Sequence, residues 1–176
     1  TSLNYFFNSI SSKIYKAEKI DTHGGSLRVY ISKNQKVKIQ SSVTEILKEE
    51  EKFGIKDFKT YKNFEKKILQ KKTNVRKNLK KLLNSHKKIV GYGSPAKATT
   101  ALNFFGISKE IECIIEDNKL KHGKFIPGVK IPIISKKKLK TNPKCVLVLA
   151  WNFFDEIKKN NQDLSKNFVS ISELKN

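Results

Sequence analysis

Methionine is absent from the 176 residues, so the chain does not begin at a natural start codon and is expected to be processed or a piece of something longer. Cysteine occurs twice, as Cys113 and Cys145, each inside an apolar run. Two such thiols argue against a disulfide framework and fit buried strands in a reducing cytoplasm. Two cysteines and three histidines also offer no metal-ligand spacing. No apolar run approaches the roughly 18 residues of a membrane span. The first residues lack the basic flank and long apolar core of a signal peptide. Arginine is nearly missing, because all but Arg28 and Arg76 of the 37 basic residues are lysines.

That scarcity bears on the net charge of +21, which by itself invites a basic nucleic-acid-binding module. Base readout and bidentate phosphate clamps favour arginine. The lysines are spread along the chain, and the denser clusters (Lys66-Lys67, Lys71-Lys72, Lys136 to Lys138) read as solvated faces. Abundant Lys, Asn and Ile together are what an AT-rich coding sequence produces, so nucleic acid is not the favoured partner. The residues that are present, 38% hydrophobic and 10% aromatic, suffice for a core and argue against disorder.

Residues 1–12 suit a short helix or an irregular entry segment. Residues 13–20 and 27–31 read as the two strands of a hairpin, joined by the turn-rich Asp21-Thr22-His23-Gly24-Gly25-Ser26. Ser42-Val43-Thr44-Glu45 has the pattern of a capping box, opening a helix of about three turns that runs to Gly54. Tyr61, Phe64, Ile68, Val75, Leu79 and Leu82 recur at helical spacing and predict one long helix over 58–84. From residue 87 onward short apolar strands alternate with helices, with strands expected at 89–90, 111–115, 144–150 and 168–171 and a short edge piece at 130–133. Pro95 and Gly106 punctuate a helix over 96–105. Asn152 is placed to cap a further helix carrying Asp155 and Glu156 in its first turn. The pattern is that of a Rossmann-like, doubly wound parallel sheet of the α/β class.

In such a sheet, ligands bind beyond the carboxyl ends of the strands. Three strands deliver polar turns there: Tyr92-Gly93-Ser94-Pro95-Ala96-Lys97, then Glu116-Asp117-Asn118, then Trp151-Asn152. The first turn promises backbone N–H groups at a helix N-terminus, with Lys97 adding a cation, which suits a phosphate. The acids suit hydroxyl groups and Trp151 suits stacking. A rival reading is open. Gly91, Gly93 and Ala96 fit the looser dinucleotide fingerprint, with Asp117 about 20 residues on where a ribose-binding acid belongs, which would make the domain an NAD(P)-binding part of an oxidoreductase. Histidine is the side chain whose ordinary pKa lies near neutrality, so His23 is a candidate general base.

Four stretches come in a familiar order: Thr22-His23-Gly24-Gly25-Ser26-Leu27-Arg28, then Gly91 to Lys97, then Pro127-Gly128 with Ile131-Pro132, then Leu149-Ala150-Trp151-Asn152 with Glu156-Ile157. In this they resemble the C-terminal part of SAM-dependent C-methyltransferases that act on nucleotide-linked deoxysugars. The resemblance implies a zinc-binding segment and a SAM-binding domain ahead of a Rossmann-like C-terminal domain, with the sugar nucleotide between the last two. It implies that residues 1–34 are a hairpin remnant of the methyltransferase domain, 35–84 a helical connection and 85–176 the C-terminal domain. The family's Tyr-x-Glu-His motif would fall before Thr1. S-adenosyl-L-methionine would then be a cofactor of the full-length enzyme with no site in this chain, and the fragment would not methylate alone. Site residues implied are His23 as a catalytic group, Gly24, Gly25, Ser26 and Arg28 on one side of the substrate, and Tyr92, Gly93, Ser94, Lys97, Asp117, Trp151 and Asn152 on the other.

Overall fold

The alternation of apolar residues in Lys13–Ile20 (β1) and Ser26–Ser32 (β2) produces an antiparallel pair, joined through a short 3-10 turn at Thr22–Gly24. The computed structural model describes residues 1–86 and 88–175; of His23 only the backbone, within that turn, is among them. The hairpin is not left bare. Helix α1 (Ser2–Ser9) precedes it and helix α2 (Ser41–Phe53) follows, so that Ile14, Ala17 and Val43 are buried together, with Phe7, Val29, Ile46 and Leu47 against them. The expected capping box does not form. Helix α2 starts two residues earlier, with Gln40 as N-cap in place of Ser42, and the Ser42 hydroxyl instead accepts a hydrogen bond from the Ala17 N–H of β1.

Helix α3 (Phe58–His86) is the long helix expected from the periodicity. The chain divides into two compact units within it, Thr1–Lys66 and Lys67–Asn176. In the second unit, Val75 and Leu79 of α3 are buried, as their place in the apolar stripe requires.

The second unit is built on a five-stranded, all-parallel sheet. Its strands are β3 (Ile89–Tyr92), β4 (Ile111–Ile115), β5 (Ile133–Ile134), β6 (Cys145–Val148) and β7 (Phe168–Ser170), in the order β5-β4-β3-β6-β7. Helix α4 (Ala96–Phe105) links β3 to β4, and helix α5 (Phe154–Asn160) links β6 to β7. Pro95 is the N-cap of α4 rather than its first helical residue, and Gly106 closes it in the left-handed conformation with φ 66°. The period of two sorts the strands between two cores. Ile89, Ile114, Cys145 and Leu147 face α3 and α4, while Val90, Tyr92, Cys113, Ile115, Val146 and Val148 lie with Phe154 and Ile157 of α5. Both faces are therefore covered, which explains why β6, paired on both sides, reads as a continuous apolar run. Each fully buried Leu or Ile here contributes about 1.5–3 kcal/mol.

The chain leaves β3 toward β4 and β5, then returns to β6 on the other side of β3. The strand order thus reverses between β3 and β6. Tyr92 is level with Ile115 and Val148 in the pairing, so the three inner strands end at one edge.

Candidate functional site

A cavity of about 490 Å³ opens at that edge, at the point where the strand order reverses. Its walls come from the turn after β3 (Gly93, Ser94, Pro95), the turn after β4 (Glu116, Asp117), Lys121, the segment after β6 (Ala150, Phe153), helix α5 as far as its last residue Asn160, and Asn161 just beyond it. Two glycines let the strands close up beneath it. A Cβ on Gly91 would stand 2.8 Å from Ile114 Cγ1, and one on Gly93, whose φ is +83°, would stand 2.7 Å from the Ala150 Cβ.

In the turn after β3 the Gly93 and Ser94 amides are engaged rather than bare as its composition suggests. The Gly93 N–H donates to the Ile115 carbonyl at 2.8 Å. The Ser94 N–H donates to Glu116 Oε2 at 2.9 Å and the Ser94 hydroxyl to the same oxygen at 2.5 Å. The other Glu116 oxygen accepts from the Asn118 N–H at 3.0 Å, and Lys121 Nζ lies 3.4 Å from Oε2 and 2.9 Å from the Ser94 carbonyl. Burial alone would raise the Glu116 carboxyl. The Ser94 hydroxyl, the Asn118 and Ser94 amides and the Lys121 ammonium outweigh it and hold the group down at about 2. A carboxylate of the chain itself thus occupies the Ser94 amide, one of the turn N–H groups that could otherwise face an anion. The His122 ring nitrogen donates to the Glu116 carbonyl at 2.6 Å, which makes this histidine a tie for the turn.

Tyr92 stands beside this network. Its hydroxyl donates to the Asp117 carboxylate, 3.0 Å from both oxygens, and lies 3.4 Å from Asn161 Oδ1. Burial, then the adjoining Asp117 carboxylate, push the phenol up to about 12, so it stays a donor. Asn161, itself buried, is fixed by donating to the Ile157 carbonyl and accepting from Lys136.

The structure brings Tyr92, Gly93, Ser94 and Asp117 together in the cavity wall. It sets Lys97 and Trp151 against each other outside that wall, with the ammonium 5.2 Å from the ring centroid; Lys175 lies at the same distance from the ring. Asn152 is exposed in the 3-10 turn Trp151–Phe153 and does not cap α5, whose N-cap is Phe153. Gly24, Gly25, Ser26 and Arg28 belong to the first unit. There the Ser26 hydroxyl donates to the Thr22 carbonyl, and Arg28 faces Glu18 in the hairpin register. The His23 side chain lies outside the described residues. Phe153, Glu156 and Asn161 are cavity residues that sequence reasoning missed. No spacing relates Tyr92 to Asn161, 69 positions away. Phe153 carried a weak signal, since it follows two residues already placed at a strand mouth. Among the described residues no group of three or more His, Cys, Asp or Glu side chains is gathered to hold a metal, and no helix is long and apolar enough to cross a membrane.

A doubly covered parallel sheet with a polar cavity at its switch point defines a Rossmann-like domain. The chain belongs to the C-methyltransferase C-terminal domain family, whose model matches residues 21–170. It is 30% identical over 169 residues to the C-methyltransferase NovU of Streptomyces niveus, an alignment that takes in 94% of this chain and 40% of that protein. The chain spans about two-fifths of the length of this curated relative.

Proposed function

We propose that the chain is the substrate-side part of a SAM-dependent methyltransferase acting on a nucleotide-linked sugar, which it binds and orients for C-methylation. The observation that carries this reading is the polar cavity at the sheet's switch point, lined by Tyr92, Ser94, Asp117 and Asn161, in a member of a C-methyltransferase family. S-adenosyl-L-methionine is not the group this cavity is proposed to hold. The Gly93 and Ser94 amides that would receive its carboxylate are engaged, and Glu116 would repel that group. No transfer step is therefore routed through this chain. Its contribution is grip and orientation, by which a reacting carbon is held in position. The methyl donor belongs to another part of the longer protein. Exposed aromatics on the first unit, among them Tyr5, Phe6, Phe53 and Phe58, support a further domain as its partner. The buried, unpaired Cys113 and Cys145 support a reducing, cytoplasmic setting.

Thermal unfolding with a panel of nucleoside diphosphate sugars tests the reading. A sugar nucleotide at about one hundred times its dissociation constant adds about 2.7 kcal/mol. For a chain of this size that raises the melting temperature by roughly 5–10 °C. No shift with any sugar nucleotide, together with a shift from NAD, would put the oxidoreductase reading in its place.

A further inference from the structure

Binding of a sugar nucleotide leaves open which part of it enters the cavity, and the charges in the wall decide between the parts. Glu116, Asp117 and Glu156 supply three carboxylates, and Lys121 is the one cation among the described lining residues. Lys121 is already engaged by Glu116 and by the Ser94 carbonyl. Of the turn amides, those of Gly93 and Ser94 are taken by Ile115 and Glu116. A diphosphate entering here would meet unneutralised carboxylates and find no free cation among those residues.

An uncharged ring bearing hydroxyl groups finds the opposite. Asp117 is exposed, and the Tyr92 hydroxyl that donates to it leaves lone pairs of both its oxygens available. The Phe153 ring lines the same cavity while remaining 60% exposed, an apolar face with room against it. Acceptors on one wall and an aromatic face on another suit the two aspects of a sugar ring, its O–H groups and its C–H face.

We infer that the cavity takes the uncharged, hydroxyl-bearing ring of the substrate, with Asp117 accepting from its hydroxyls and Phe153 packing on its face, while the diphosphate stays outside. This rests on the proposed binding of a sugar nucleotide. Glu116 is then a specificity-determining residue. By occupying the Ser94 amide with a carboxylate, it sets a negative charge against phosphate at this turn. Two rings of a sugar nucleotide share the required chemistry, the ribose of the nucleoside and the sugar itself.

Calorimetric titration of the full chain with a nucleoside diphosphate sugar separates the outcomes, using the wild type, Asp117→Asn and Phe153→Ala. Both side chains are exposed, and a melting curve for each variant verifies that it folds. Asp117→Asn weakens binding about tenfold or more, as the loss of a charged acceptor does. Phe153→Ala weakens it several-fold. Competition by an uncharged nucleoside identifies the ribose as the bound ring, and competition by a methyl glycoside identifies the sugar. Inorganic pyrophosphate competes with neither. Unchanged or tighter binding by Asp117→Asn, or displacement of the sugar nucleotide by pyrophosphate alone, overturns the inference and leaves the broader reading standing. Absence of any sugar-nucleotide binding by the wild type overturns that reading, and this one with it.

Discussion

Replacing Glu116 with Gln tests the network beneath the cavity. The carboxylate accepts from two amides and a hydroxyl and lies beside an ammonium. Glutamine keeps one acceptor oxygen, but its NH₂ must face a donor that the carboxylate had satisfied. The native group is held at about 2, against an ordinary value of 4.5. At about 1.4 kcal/mol per tenfold change in proton affinity, that fall is worth roughly 3 kcal/mol. The side chain is only 12% exposed, so solvent screening trims this little, to roughly 2–3 kcal/mol. The sign follows from the depressed value. The stabilisation is fully present above pH 4.5, where the unfolded carboxyl is also ionised, and is lost as pH falls through about 2. Glu116→Gln is therefore less stable than wild type near neutrality by roughly 2–3 kcal/mol, and the gap closes between pH 4.5 and about 2. Urea unfolding across this range, followed by the fluorescence of Trp151, the sole tryptophan, measures both chains in the same unit. Acid effects common to both cancel in the difference. A gap that stays constant across the window would refute the assignment of Glu116 as a buried, ionised acceptor.

Gly93→Ala places a Cβ where φ is +83° and 2.7 Å from the Ala150 Cβ, so it lowers stability by roughly 2–4 kcal/mol, read from the urea midpoint; an unchanged midpoint contradicts the strand-end packing. Leu147→Ala empties a fully buried position of β6 and lowers stability by about 2–5 kcal/mol in the same assay, whereas a loss well below that range would mean the core there is not closed. Cys113 and Cys145 are buried and their thiols are pushed up to about 11 by desolvation. Neither reacts with a thiol reagent in the folded chain, and both react in urea. Rapid labelling without denaturant contradicts their placement in the sheet.

The parallel sheet was legible because its strands, buried on both faces, announce themselves as apolar runs, and because Gly106 and Pro132 act through local backbone rules. Pro132 precedes the short strand β5, which lies at the sheet edge where a missing N–H does no harm. Capping was less legible. Ser42 and Asn152 carry the right side chains, but a hydroxyl or amide goes to whichever donor the tertiary fold brings near, and for Ser42 that is Ala17. The site divides the same way. Tyr92, Ser94 and Asp117 follow from strand ends, which sequence locates. That Glu116 fills the Ser94 amide, and that Lys97 turns to Trp151, depends on side-chain placement across 22 and 54 intervening steps of chain, which no local pattern encodes.

The most direct test of the central claim is to follow the backbone amide resonances of the chain as a nucleoside diphosphate sugar is added. Saturable shifts at Gly93, Ser94, Asp117, Phe153 and Asn161, with the far ends of the same strands unmoved, are the predicted result. Saturable binding that shifts residues elsewhere and leaves these five in place would contradict it.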